Sequence, residues 1–396
     1  MSIFSGIFSK LFQKNRDELV LLFDVGSSSV GGAFFVMQSS GAPKIIYSNR
    51  ESIVLENELD PDKFLDSTIK ALKTVTSNLC VKGVGSPSRV FCVLSSPWYA
   101  AQTRTIKLEK NVPFIFTNKL ADSLIQKEIS LFKEEYKIKD HETDTIRPIE
   151  LKNMKTILNG YPTTLPNNQK IKELEMTVFI SMAGEDILKR IEETINLHFH
   201  LKTIKFSSFA MASFAVARDI FINQENFLLV NIGGEVTDIS MIKKDSVKDS
   251  ISYPSGRNFI IRGIASDMKC ALSEAKSYLS LYKDGHMSEE SLQKFEPVIT
   301  KYKTQWLKKF QEALSNLTND ISIPSTIFIT VEHDLVEFFS EIIKKEQFSQ
   351  YSLTESKFKV VFLGNQVLHG IAVFEQEINR DPFLIIESIY INRFLR

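Results

Sequence analysis

The chain has 396 residues, 43% of them hydrophobic, enough for two or more domains with substantial cores. Lys plus Arg number 48 and Asp plus Glu number 48, so no excess of positive charge points to nucleic acid, and no aromatic and basic residues interleave as a base-stacking module requires. The three cysteines, Cys80, Cys92 and Cys270, form no CxxC and no even-numbered framework, which fits a reducing cytoplasm, and no apolar run reaches transmembrane length.

Residues 1–16 come first. Ile3, Phe4, Ile7, Phe8, Leu11 and Phe12 follow the spacing of one helix face, with Lys10, Lys14 and Arg16 beside it. The pattern is too interrupted for a signal-peptide core and has no small-residue cleavage site after it. It predicts a helix in a membrane interface, apolar face down and lysines toward anionic headgroups. A helix docked on the protein's own surface or on a partner is the competing expectation.

Leu19 to Phe23 reads as a buried strand ending at Asp24, and a second strand runs from Val30 to Val36. Between them lie Gly26 and three serines. Such a turn either closes an ordinary hairpin or converges its backbone N–H groups on an anion. Gly26 lets a phosphate approach closely, and Asp24 suits a water-held magnesium ion.

Asp60–Pro61 predicts a helix start, with Asp60 as N-cap and Leu65, Ile69, Leu72 and Leu79 on one face. Lys82 to Ser88 is a loop. Arg89 to Ser96 begins a new strand and is taken as the start of a different domain. A helix follows over 120–136, a charged and exposed stretch over 137–148, and then Ile157 to Pro162, with an Asn159–Gly160 turn. Leu174 to Ser181 reads as a strand and Glu185 to Leu197 as a helix. Phe209 to Ala217 is a helix of small residues.

Phe227 to Ile242 repeats the plan of the first turn. A buried run ends at Asn231, then Gly233, Gly234, Glu235 and Thr237 lead into another strand. Two such hairpins predict two similar halves facing each other across a cleft. Beyond them, a helix is expected after Ala265 through Leu281, and 292–317 reads as one helix or a pair. Strands are expected at Thr326–Thr330 and Lys359–Leu363, and a last helix from Asp381–Pro382 to Leu395, apolar nearly all round.

Several constellations are missing or incomplete. There is no GxxxxGK[ST] and no GxSxG. Two S-x-x-K matches stand without their companion motifs. His198 and His200 would share a face on a strand, but no third ligand has convincing spacing.

The paired turns resemble the phosphate loops of the actin-like ATPase superfamily, and Asn231 to Ser240 looks most like the FtsA and PilM branch, whose members act in bacterial cell division and in type IV pilus assembly. The resemblance implies an α/β, actin-like (ribonuclease H-like) duplicated two-domain fold with a small inserted α+β domain. The first half would comprise 17–88, 206–225 and 365–396, the insertion 89–205, and the second half 226–364. Leu368 to Phe374 looks like the final glycine-containing helix that crosses back to the first half.

The resemblance also implies ATP with Mg2+ as cofactor. Its phosphates would be held by Asp24, Gly26, Ser27, Ser28, Asn231, Gly233, Gly234 and Thr237, and the metal by Asp24 through water. Three departures stand against turnover. Asn231 replaces an aspartate and carries no charge. Glu274 and Lys276, the residue types of the ribose contact, lie two apart instead of three. Val331 to Asp334 replaces a pair of glycines with four side chains, two of them acidic and repelling a polyphosphate. The expectation is at most a weak ATPase, or a structural pseudo-ATPase.

Function then follows the branch. The first expectation is a membrane-associated adaptor of the FtsA type in cell division, peripheral on the inner face of the membrane. Its membrane contacts would be Ile3, Phe4, Ile7, Phe8, Lys10, Leu11, Phe12 and Lys14. The alternatives are a PilM-like platform protein of pilus assembly, or an interaction protein that binds no nucleotide. Expected partners are proteins of the division or pilus machinery, an anionic membrane surface and further copies of the chain, with no nucleic acid. A sugar or acetate kinase of the same superfamily lacks an identifiable general base here.

Overall fold

A computed structural model describes residues 18–39, 41–138, 145–200, 203–317, 322–345, 357–375 and 378–395. The amphipathic segment 1–16 lies outside the described residues, as does part of the charged stretch after 138.

The chain opens with β1 (Glu18–Val25), β2 (Ser29–Met37), β3 (Lys44–Ser52), α1 (Pro61–Lys82) and β4 (Arg89–Leu94). An inserted stretch follows, with β5 (Ala100–Ile115), α2 (Asn118–Ile138), β6 (Ile146–Leu158), β7 (Tyr161–Pro162) and β8 (Lys170–Gly184). Next come α3 (Glu185–Phe199), β9 (Ile204–Ser208) and α4 (Phe209–Ile220). The second half holds β10 (Phe227–Ile232), β11 (Thr237–Lys243), β12 (Ser246–Tyr253), α5 (Arg257–Met268), α6 (Leu272–Lys283), α7 (Glu289–Asn316), β13 (Thr326–Thr330), α8 (Val336–Lys344) and β14 (Lys359–Phe362). The chain returns through β15 (Val373–Phe374) and α9 (Pro382–Phe394).

The duplication expected from the two hairpins is present in the topology. One sheet runs β15-β3-β2-β1-β4-β9 and the other β12-β11-β10-β13-β14. In each, an antiparallel three-strand meander continues into strands parallel to its first. A third sheet, β5-β8-β6-β7, forms the insertion. Its β6–β7 hairpin turns at Asn159 and Gly160, both at positive φ (49° and 83°), as a two-residue hairpin needs.

Three expectations are corrected. Arg89–Leu94 does not begin the inserted unit. It pairs in parallel with β1, because its apolar run fits a strand buried on both faces. The helix α3 packs on α1, so the insertion reduces to β5 through β8. Leu368 to Phe374 is not a helix. It is a turn, with Gly370 in the left-handed region (φ 79°), leading into β15. Of the two expectations for 292–317, the single helix is the one present, α7 running unbroken over Glu289–Asn316.

Helix α1 starts as expected. The Asp60 side chain accepts from Lys63 N at 3.0 Å, with Pro61 in the first turn. The small-residue helix α4 and the last helix α9 pack together between the two sheets. They share one core with Val20, Leu22 and Phe91 of the first sheet and Phe227, Leu229 and Phe328 of the second. Leu384 through Asn392 are all buried, which explains why α9 is apolar all round. Among the described residues no helix is long and apolar enough to cross a membrane.

Candidate functional site

The first hairpin closes between β1 and β2, where Gly26 N donates to Ser29 O at 3.1 Å. Asp24 lies at the end of β1 and is only 2% exposed. Its register partner is Gly31 on β2, and Gly31 faces Arg50 on β3. Because Gly31 has no side chain, Arg50 crosses over it and donates from Nη2 to Asp24 Oδ2 at 2.6 Å. A Cβ at Gly31 would stand 2.6 Å from that nitrogen. Arg50 also donates to Ser29 Oγ at 2.9 Å and to Asp381 Oδ2, at the start of α9, at 2.5 Å. Burial opposes the charge on Arg50, but Asp381 and Asp24 hold its pKa above the ordinary value. Burial pushes the Asp24 carboxyl up, against the pull of Arg50.

The second hairpin closes where Gly233 N donates to Val236 O at 2.9 Å. Asn231 Oδ1 accepts from Thr330 Oγ1 at 3.0 Å, and its amide nitrogen donates to Asp238 Oδ2 at 3.4 Å. Thr237 is fully buried and donates to Ser255 O at 2.8 Å. The first amides of α5 do not point into an open cleft. Gly256 N, Arg257 N and Asn258 N donate to the carbonyls of Glu235, Gly233 and Gly234 at 3.0, 2.9 and 2.8 Å.

The two hairpins touch. Glu235 N donates to Ser27 Oγ at 3.2 Å. A Cβ on Gly233 would stand 2.7 Å from Ser27 Oγ, and one on Gly234 would stand 2.4 Å from Ser27 O. Ser28 O is taken by Ile53 N at 2.9 Å. The Glu235 side chain, 6% exposed, is held by Arg262 through two contacts at 2.6 and 2.9 Å and by Asn258 at 2.7 Å. Arg262 Nε reaches across to Glu56 O of the first half at 2.8 Å. The depression above has a volume of about 10 Å³, room for a single water, and Glu56, Glu58, Asp60 and Glu235 are among the residues that line it.

The structure therefore brings Ser27 and Ser28 of the first hairpin against Gly233 and Gly234 of the second; Gly26 stays within its own turn and Thr237 bonds to Ser255. These residues do not fit a polyphosphate between the hairpins. Backbone meets backbone there, the N–H of Glu235 is spent on Ser27, and the mouth is acidic. Nor does Asp24 fit a water-held Mg2+, since the guanidinium of Arg50 already sits on its carboxylate.

The expected ribose residues are engaged otherwise. Glu274 turns back on its own helix and accepts from Ala271 N at 3.1 Å. Lys276 lies near Arg257 and Glu332, and burial lowers its pKa. Arg257 and Glu332 form an ion pair, so Glu332 of the altered turn after β13 faces a cation rather than an open pocket. The histidine pair does not form on a strand. His198 lies in the last turn of α3 and His200 is its left-handed cap. Among the described residues no group of three or more His, Cys, Asp or Glu is placed to hold a metal ion.

Sequence reasoning missed Arg50, Glu235, Arg257, Asn258 and Arg262. One signal was available. A glutamate inside a glycine turn that becomes buried needs a cationic partner.

No family model matches the chain, and no curated protein matches it. The structure is similar to that described as the PilM–PilN type IV pilus biogenesis complex, at 13% identity and a TM-score of 0.61, over 94% of this chain and 98% of that one. The ethanolamine utilization protein EutJ of Carboxydothermus hydrogenoformans follows, at 11% identity and 0.41, over 96% and 91%. A Bacteroides thetaiotaomicron protein of unknown function with actin-like ATPase fold matches at 10% and 0.40, over 94% and 96%. With its duplicated sheets and bridging helices, this chain has the actin-like ATPase fold.

Proposed function

We propose that this chain is an actin-like adaptor of the PilM kind, holding a partner protein in a pilus-assembly or related machine rather than turning over nucleotide. The observation that carries this is the likeness to the PilM–PilN structure, which spans nearly the whole of both chains and so includes the inserted unit. The seam between that unit and the first half supports it. A cleft of about 80 Å³ lies there, lined by Pro97, Trp98, Ala100, Phe132, Met182 and Ile187. An extended partner segment with one apolar anchor suits such a site. Residues 1–16 would add a contact with the inner face of the membrane.

The test is binding to a PilN protein, the partner named in that complex, as a synthetic N-terminal segment and as the full protein. Saturable binding that Ile187→Asp abolishes, with the melting temperature little changed, is the expected result. The division-tether alternative draws on the amphipathic pattern of 1–16 alone. Binding to the tail of the tubulin-like division protein FtsZ, with none to the pilus segment, would replace the proposal by that alternative. ATP with Mg2+ is not required by this function, and hydrolysis no faster than background is expected.

A further inference from the structure

The two halves of an actin-like fold meet at the paired hairpins, so whatever spans that meeting decides whether the cleft is open or shut. Here the span is made of the chain's own groups. Ser27 of the first half accepts from Glu235 N of the second. Arg262, on α5 of the second half, grips Glu235 with two nitrogens and reaches Glu56 O of the first half with a third. At the base, Arg50 ties Asp24 of the first hairpin to Asp381 at the start of α9, the helix packed between the two sheets. Each charge is paired, and each contact lies at 3.2 Å or less.

We infer that the cleft is a self-closed clasp, in which Arg262 and Ser27 hold the halves together and Arg50 serves as a built-in cation at Asp24, so that closure needs no nucleotide or metal. Three physical facts support this. The guanidinium is permanently charged; that of Arg262 meets both oxygens of Glu235, and the three nitrogens of Arg50 reach Asp24, Ser29 and Asp381. The hairpins are in backbone contact, so closure leaves no gap to be filled. The mouth is lined by Glu56, Glu58 and Asp60, all exposed, whose charge opposes entry of a polyphosphate. A clasp of this kind would give a scaffold a fixed shape for its partner, where a nucleotide-gated clamp would give two. The inference goes beyond the adaptor assignment, and partner binding is read by a different experiment.

The test is amide hydrogen exchange on the full chain, following peptides that cover 25–30 and 232–238, with and without millimolar Mg-ATP. In the unaltered protein both segments exchange slowly and Mg-ATP changes nothing. In Arg262→Ala both speed up together by roughly tenfold, the loss of a charged hydrogen-bond set. Peptides over Val20–Phe23 stay protected and show that the sheet is intact. Arg262→Lys, which keeps the charge but not the fork, lies between the two and serves if Arg262→Ala does not fold. Slowed exchange at both hairpins on adding Mg-ATP to the unaltered protein would overturn the inference. So would unchanged exchange at both hairpins in the Arg262 variants.

Discussion

Tyr390 of the last helix donates its hydroxyl hydrogen bond to Glu150 of the inserted sheet, joining residues 240 positions apart in the interior. The other oxygen of Glu150 accepts from Ser208 N at 3.0 Å and Ser208 Oγ at 2.8 Å. Ser208 is the N-cap of α4. One buried carboxylate thus ties the insertion to both helices that bridge the halves.

Tyr390→Phe should remove one of those bonds and leave Glu150 partly unpaired, at a cost of about 1–3 kcal/mol. Ser208→Ala should cost about 1–2 kcal/mol through the lost cap and the lost donor. Since both act on one carboxylate, their effects should not add, and a double-mutant cycle in urea unfolding will show the coupling. Simple additivity would mean that Glu150 is not the shared node.

Arg50→Ala should be among the most destabilising single changes in the chain. It leaves Asp24 buried and Asp381 half-buried without their cation, at a cost of about 3–5 kcal/mol. Adding Asp24→Asn and Asp381→Asn in the same chain should recover part of that loss. Denaturant midpoints measure both steps. A neutral Arg50→Ala would show that the pairs carry no net stability.

Glu387 is fully buried on α9, where its carboxyl shares a hydrogen bond with Asp24. Burial first, then the charge of Asp24, pushes its pKa well above the ordinary value, with Arg50 pulling the other way and Asp381 adding to the rise. The unfolded chain therefore loses this proton at a lower pH than the folded one. Stability from this group is complete below the unfolded pKa of about 4.5 and falls as pH rises from there toward the folded pKa. Glu387→Gln should flatten that fall and raise the melting temperature at neutral pH. A stability curve with the same slope in both proteins would refute the assignment.

Gly234→Ala places a methyl 2.4 Å from Ser27 O, a backbone atom that cannot rotate away. The expected cost is about 1–3 kcal/mol, with both hairpins pushed apart. Gly160→Ala meets nothing within 4 Å. Its φ of 83° still strains alanine, so its smaller loss isolates the backbone effect from the steric one. Equal losses at the two sites would mean that the hairpin contact is loose.

Removing residues 1–16 should abolish sedimentation with anionic liposomes and leave the melting temperature unchanged, if those residues form an interfacial helix. Persistent sedimentation would move the membrane contact elsewhere or to a partner.

The amino-acid order by itself determined the two hairpins, the positions of most other strands and helices and the duplicated α/β plan, because each depends on local runs of apolar residues and on small residues at turns. The N-cap of α1 was legible for the same reason. The order of strands could not tell that Arg89–Leu94 pairs with β1, since a strand's neighbour is set by packing and not by its own pattern. Above all, only the tertiary structure decided what lies between the hairpins. Arg50, Glu235 and Arg262 find their partners across strands and across halves. No periodicity records such pairings, because a long charged side chain takes whichever opposite charge the fold brings within its reach.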